Sequence, residues 1–430
     1  MQRSTRDNLM VKAAGRGRGR RRAAGVAVIV VALLAGSTQV ADTEAKVRRG
    51  PAGLAFYDPP KLKRFPHGAG KPIWVRRAKG LVPLDNAAST RLLLYTSNSP
   101  KTGKRIAVSG SLSVPRGRPP KRGWPLISFA HGTSGVADIC APSRARPGGA
   151  DLFNTTWIHA QAAEWLEAGY AVARTDYEGL GTPGPHPYLV GESEARGVID
   201  IVRAARRLDA RIDRRFLIAG WSQGGQAALF AAGAAERRAP GLRLRGTVAY
   251  APGSHILEQR KLLPLLTEPG DPSRYVALVI KGASTVSRRI RPAQLLTDQA
   301  LRLYPQVNER CIRQLAAPDS FGGIAPAAVV RADADTSVID SVLAQMNPDV
   351  RSDRPIFIAQ GAADTFVFPF FTDQLHDELI GAGNDVRYTV YPGIDHFAIA
   401  GAAQGDVLDW FRSKLPPRAE VASNDSRSPG

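Results

Sequence analysis

Two rhythms of apolar and polar residues run along this chain. "STRLLLYTSN" and "RIAVSGSLSVP" are apolar runs parted by "SPKTGK", a turn signal, and they predict an antiparallel hairpin. From "WPLISFAHG" onward, short apolar strands take turns with helical patterns. "WPLISFAHG" reads as a buried strand and "TTWIHAQAAEWLEAG" as an amphipathic helix that stops at Gly169. "YAVARTDY" is the next strand and "SEARGVIDIVRAARRL" the next helix. "RRFLIAGWS", "QGGQAALFAAGAAERR" and "RLRGTVAYAP" then read as strand, helix and strand. Strands that alternate with helices need crossover connections, so an α/β fold is expected, with a mostly parallel sheet flanked by helices.

After Pro252 the alternation stops for about 100 residues. "YVALVI", "PAQLLTDQALRLY" and "SVIDSVLAQM" look helical, with irregular links between them. The rhythm resumes with "RPIFIAQG", a helix over about 370–382, "VRYTVYPG" and a last helix ending in "VLDWFRSKL". The expected organisation is an α/β core over 89–252 and 351–416, interrupted by a mainly helical insertion at 253–350. Residues 46–88, rich in Pro, Gly and basic side chains, read as an extended lead-in. Residues 417–430 read as a disordered polar tail.

Composition adds limits. The chain has 430 residues, 43% apolar and 22% charged, enough for a large core. The net charge of +20 raises nucleic-acid binding, but residues 1–50 alone hold 11 Lys/Arg against 3 acids. No basic helix and no interleaved aromatics suited to stacking bases follow, so no nucleic-acid partner is expected. The basic run "RGRGRRR" precedes "AAGVAVIVVALLAG", an apolar core too short for a membrane span. Residues 1–45 therefore read as a signal peptide for export, with a retained N-terminal anchor facing outside as the alternative. Cleavage near Ala41 or Ala45 is expected, although no site fits the small-x-small rule cleanly. Cys140 and Cys311 are the only thiols, and export removes them from a reducing cytosol, so they are expected to pair. That bond would tie the insertion to the rim of the site described next. Neither cysteine has metal-ligand spacing, and no metal or cofactor is expected.

The chemistry centres on "GWSQGG" at 220–225, which follows the apolar run "FLIAG". It satisfies G-x-S-x-G, and its strand–turn–helix context is the one that motif requires. The turn would strain Ser222 and expose its hydroxyl above the sheet. Gly220 and Gly224 would be small because side chains there would strike the neighbouring strand and helix. A serine nucleophile needs a base, and the base needs an orienting carboxylate. In α/β-hydrolases these follow in the order Ser, acid, His. The acid expected is Asp364, just past a strand end in "IFIAQGAADTFV". The base is His396 in "YPGIDHF", whose neighbour Asp395 should point elsewhere. An oxyanion hole needs two backbone donors. Gln223, after the nucleophile, supplies one, and Thr133 in "AHGTSG" the other, with Gly132 next in line. His186 reads as structural, His376 as solvated, and His67, His159 and His255 show no partner pattern.

Together "HGTSGVADICAPS", "DYEGLGTPGPHPYLVG", "GWSQGG", "GAADTFV" and "YPGIDHF" resemble the fungal-type secretory lipases, the lipase A-like branch of the α/β-hydrolases. The resemblance covers roughly 80–420. It implies a helical cap inserted after the strand that follows the nucleophile helix. It also implies carboxylester hydrolysis, often of lipid (acylglycerol) esters, by Ser222, Asp364 and His396. The partner expected is a lipid or other ester substrate, with transient contact to a lipid interface or an anionic cell envelope. The helical runs over about 273–346 are expected to cover Ser222 and supply an acyl-binding tunnel. A serine aminopeptidase or acyltransferase on the same fold, or a non-catalytic envelope-binding protein, are the alternatives.

Overall fold

The computed structural model describes residues 47–417. The expected signal segment 1–45 and all but the first residue of the tail 417–430 lie outside the described residues. The sheet begins inside the segment read as an extended lead-in. Pro72–Arg77 forms β1, antiparallel to residues 91–95. The short run "PIWVRR" lies among Pro and Gly, so nothing local marks it; only pairing with the strand beyond it makes it one. Phe56, Tyr57, Phe65 and Ile73 of this segment close over Leu94 and Ala107 in a small core of their own.

The predicted hairpin is β2 (Ala87–Asn98) and β3 (Arg105–Pro115). Then come β4 (Trp124–Ala130), β5 (Ala171–Thr175), β6 (Ile212–Trp221), β7 (Arg243–Tyr250), β8 (Ile356–Gly361) and β9 (Val386–Tyr391). They form one sheet in the order β1-β2-β3-β5-β4-β6-β7-β8-β9. From β5 to β9 every pairing is parallel. All residues of β4, β5 and β8 are buried, as parallel strands covered on both faces must be. One face packs on helices Gly191–Leu208 and Gln223–Arg238, with Val198, Ile201, Ala227 and Ala231 against Leu126 and Ile218. The other packs on His159–Glu167 and Gln404–Lys414, through Trp165, Val407 and Phe411.

Two helical readings break into pieces. "TTWIHAQAAEWLEAG" divides into Leu152–Thr156 and His159–Glu167. "PAQLLTDQALRLY" divides into Pro292–Leu295 and Asp298–Leu303, because the Thr297 side chain accepts from Ala300 N (3.3 Å) and caps a new helix.

Between β7 and β8 the chain leaves the sheet for Ile256–Leu262, Pro272–Val286, Ser337–Ala344 and shorter turns. This segment has its own core, including Leu278, Leu296, Leu315 and Phe321, and that core takes in Val136 and Tyr188 from the α/β body. Cys140 and Cys311 are bonded, with Cα atoms 5.4 Å apart. Beside the bond, Ile312 N donates to Ser134 O (2.9 Å), so the insertion is fastened to the loop after β4 at two points. No helix among the described residues is long and apolar enough to cross a membrane.

Candidate active site

The turn after β6 has the strain its sequence predicts. Ser222 sits at φ 57°, ψ −118°, a left-handed conformation that costs a non-glycine residue on the order of 1–3 kcal/mol. The surroundings hold it there. Ser222 N donates to Tyr250 O on β7 (2.9 Å), and Ser222 O accepts from Gln226 N and Gly253 N (both 3.1 Å). A Cβ on Gly220 would lie 1.9 Å from Gly224 O, and one on Gly224 would lie 2.0 Å from Ala130 O. Those contacts are why glycine flanks the serine: strand, turn and helix meet at backbone distance.

His396 follows β9. Its Nδ1 lies 2.7 Å from Asp364 Oδ2, and both side chains are buried. With Nδ1–H donating to Asp364 Oδ2, Nε2 is left free to act as an acceptor. Asp364 is itself fixed. Its Oδ1 accepts from Phe366 N and Val367 N (both 2.8 Å), and its Oδ2 accepts from Gln360 Nε2 (3.2 Å). Rings of Trp221, Phe366 and Phe397 stand 5.1–5.4 Å from the imidazole. Trp221 Nε1 also donates to His396 O (3.0 Å), linking the histidine loop to the residue before Ser222. Asp395 is turned away: its Oδ1 accepts from Phe397 N and Ala398 N.

Thr133, Ser222, Gln223 and His396 all line one cavity of about 520 Å³. Its wall is largely aliphatic, with Val276, Val279, Leu295 and Leu343 from the insertion. Thr133 is held by a 2.8 Å hydrogen bond between its hydroxyl and that of Tyr188. The loop before it lies flat on Trp221, since a Cβ on Gly132 would come within 2.4 Å of that ring.

Sequence reasoning passed over Glu194. It is fully buried in helix Gly191–Leu208, and its Oε1 accepts from Gln223 Nε2 (2.7 Å) and Leu189 N (2.9 Å). Burial pushes its carboxyl up to about 8, against the lowering effect of those two donors. His186 has more than a turn-forming role. Its Nδ1 donates to Glu178 O (2.9 Å), and its Nε2 lies 3.2 Å from Gln223 Nε2, so the neutral ring accepts there. Burial holds His186 down at about 4. Glu194 and His186 thus use both protons of the Gln223 amide. Helical spacing put Glu194 in the same helix as other polar residues, and nothing local showed that this one faces Gln223. His159 and His255 also have partners, Arg174 on the next strand (3.2 Å) and Glu378 from a distant segment (3.1 Å). Among the described residues no group of three or more His, Cys, Asp or Glu could hold a metal ion.

The model of the secretory lipase family matches residues 153–422. Among solved structures, the chain is similar to Candida antarctica lipase A, at 19% identity and TM-score 0.67, covering 84% of this chain and 86% of that one. It is similar to the rice cell wall degrading esterase LipA from Xanthomonas oryzae, at 16% identity and TM-score 0.65, over 81% and 98% of the two chains. A putative hydrolase from Legionella pneumophila matches at 20% identity and TM-score 0.63, over 76% and 90%. These likenesses establish the α/β-hydrolase fold. No curated protein matches the chain.

Proposed function

This chain belongs to the secretory lipase family and is a carboxylester hydrolase, and from that premise we propose that it cleaves lipid esters through an acyl-enzyme on Ser222. The observation that carries the reading is the buried His396–Asp364 pair beside the cavity that Ser222 also lines. Ser222 Oγ attacks the ester carbonyl while His396 Nε2 takes its proton. Asp364 orients the imidazole and stabilises it once charged. Backbone N–H groups of Gln223 and Thr133 hold the oxyanion that forms on the carbonyl oxygen. His396 then gives its proton to the departing alcohol. Water, activated by the same nitrogen, attacks the acyl-enzyme and releases the acid.

The aliphatic cavity favours an acyl chain, and acylglycerols and similar lipid esters are the substrates assigned. The insertion 253–350 acts as a cap that supplies this wall. Segment 1–45 directs export, and the Cys140–Cys311 bond accords with an oxidising compartment. The test is turnover of p-nitrophenyl octanoate by the purified protein, with labelling by a fluorophosphonate that Ser222→Ala abolishes. Labelling elsewhere, or none, removes the assignment. Faster cleavage of aminoacyl-arylamides than of esters would favour the peptidase alternative.

A further inference from the structure

Ser222 and His396 line a second cavity, of about 470 Å³, which also shares Thr133, Asp271, Tyr275 and Phe366 with the first. The two cavities differ in what they add to these shared residues. Gln223 lines the first cavity and not the second, together with the aliphatic wall. Trp221 and Phe397, whose rings flank His396, line the second and not the first, along with Phe153, Ile312 and Arg313. In ester cleavage the alcohol oxygen must receive its proton from His396. His396 and the Phe366 ring line both cavities, so the His396 proton can reach an alcohol on either side; the aliphatic cavity suits the acyl chain, which leaves the second cavity, with Trp221, Phe397 and Phe153, for the alcohol.

The charges of the second cavity are unequal. Arg274 is buried, donates to Ile312 O (3.1 Å), and is ion-paired with Asp271 (3.1 Å). Arg313 is exposed, with its guanidinium 5.5 Å from the centre of the Phe153 ring. Arg274 is thus matched by a carboxylate, and Arg313 leaves an excess positive charge over an aromatic floor. A guanidinium presents a planar fork of donors that suits phosphate or carboxylate oxygens. Without residues 1–45 the chain still holds 50 Lys/Arg against 35 Asp/Glu, and that positive balance draws anions toward the molecule as a whole.

We propose that the second cavity is the alcohol subsite, and that Arg313 selects esters whose alcohol carries an anionic group. This rests on the ester-hydrolase reading above. The acyl C–O bond breaks, one water is consumed, and the alcohol leaves with its anionic group intact.

The test compares matched octanoyl esters. One pair is 1-octanoylglycerol and 1-octanoylglycerol 3-phosphate; the other is octanoylated methyl glucoside and methyl glucuronoside. The expected result is a kcat/KM ratio of anionic to neutral ester of about tenfold in at least one pair, shrinking as salt rises from about 0.02 to about 0.3 M. Arg313→Gln removes that preference, Arg313→Lys keeps most of it, and Arg313→Glu reverses it. A preference in the phosphate pair alone points to a glycerophosphate-type headgroup, and one in the uronate pair alone to an acidic sugar. A ratio near one in the unmodified protein, or one that Arg313→Gln leaves intact, overturns the proposal. p-Nitrophenyl octanoate serves as the control: if it too is not cleaved, the ester-hydrolase reading itself has failed.

Discussion

His396 Nδ1 stands 2.7 Å from Asp364 Oδ2, although Asp395 is its neighbour in the chain. Thirty-two residues separate the bonded pair, and the adjacent carboxylate caps the backbone of its own turn instead. Asp364→Asn is therefore expected to cut kcat by on the order of 10⁴, because the amide no longer fixes the imidazole tautomer. Asp395→Asn should cost less than about tenfold, since a side-chain oxygen remains for the turn amides. Ser222→Ala should remove about 10⁵–10⁶ of the rate with little change in stability. Steady-state kinetics of the three variants decide it, and the reverse ranking of the two aspartates would mean that the acid is misassigned.

The aliphatic cavity should set chain-length preference. Each methylene buried there is worth roughly 0.8 kcal/mol, so kcat/KM is expected to rise from acetate to octanoate. Val279 and Leu343 both line the wall. Val279→Trp should fill part of the space and shift the optimum toward short acyl chains. A profile that falls from acetate onward in the unmodified protein would show that the cavity does not hold the acyl group.

Removing the Cys140–Cys311 bond should destabilise the fold. It closes a loop with a sequence separation of 171 residues. The chain-entropy model gives on the order of 5 kcal/mol for such a loop, as an upper figure. Cys140→Ser with Cys311→Ser is expected to lower Tm clearly. It should also slow ester turnover, because Cys311 sits beside the Ser134–Ile312 hydrogen bond on the proposed oxyanion loop. Thiol titration of the denatured, unreduced protein should find no free thiol, and two after reduction.

Glu194 should make stability fall with rising pH. Its folded value of about 8 lies above its ordinary 4.5, so the native state holds a proton that the unfolded chain has lost over that window. The stabilisation is complete below about pH 4.5 and disappears as pH rises through about 8. His186 acts on the acid side. Its value of about 4 lies below its ordinary 6.5, so its contribution is present above about 6.5 and lost as pH falls through about 4. Denaturant titrations of Glu194→Gln across pH 5 to 9, a span set by these values, are expected to lose the alkaline slope. Glu194→Gln keeps an acceptor for Gln223 and should hold kcat near that of the unmodified protein, whereas Glu194→Leu removes it and should lower kcat more than it raises KM; an unchanged kcat in Glu194→Leu would mean that Glu194 does not position Gln223.

The sequence alone determined what depends on near neighbours. Strand and helix periods follow from side-chain spacing of two and 3.6 residues, so the β-α rhythm and the long helical interruption were legible. The strained turn at Ser222 was legible too, because its glycines sit within two residues of the serine. The place of Asp364 just past a strand end also pointed to it, rather than Asp395, as the carboxylate that meets His396. Tertiary structure decided what depends on contact between distant segments. β1 becomes a strand only by pairing across a loop. Glu194 meets Gln223 because two helices lie side by side on one face of the sheet, and a hydrophilic residue in a helix carries no local mark of facing a neighbour rather than solvent. The second cavity gathers Phe153, Trp221, Arg313 and Phe397 from four separate stretches of chain. Apolar and charged residues obey the same spacing rules whether they fill a core, coat a surface or wall a binding site, so only the packed fold shows which of these they do.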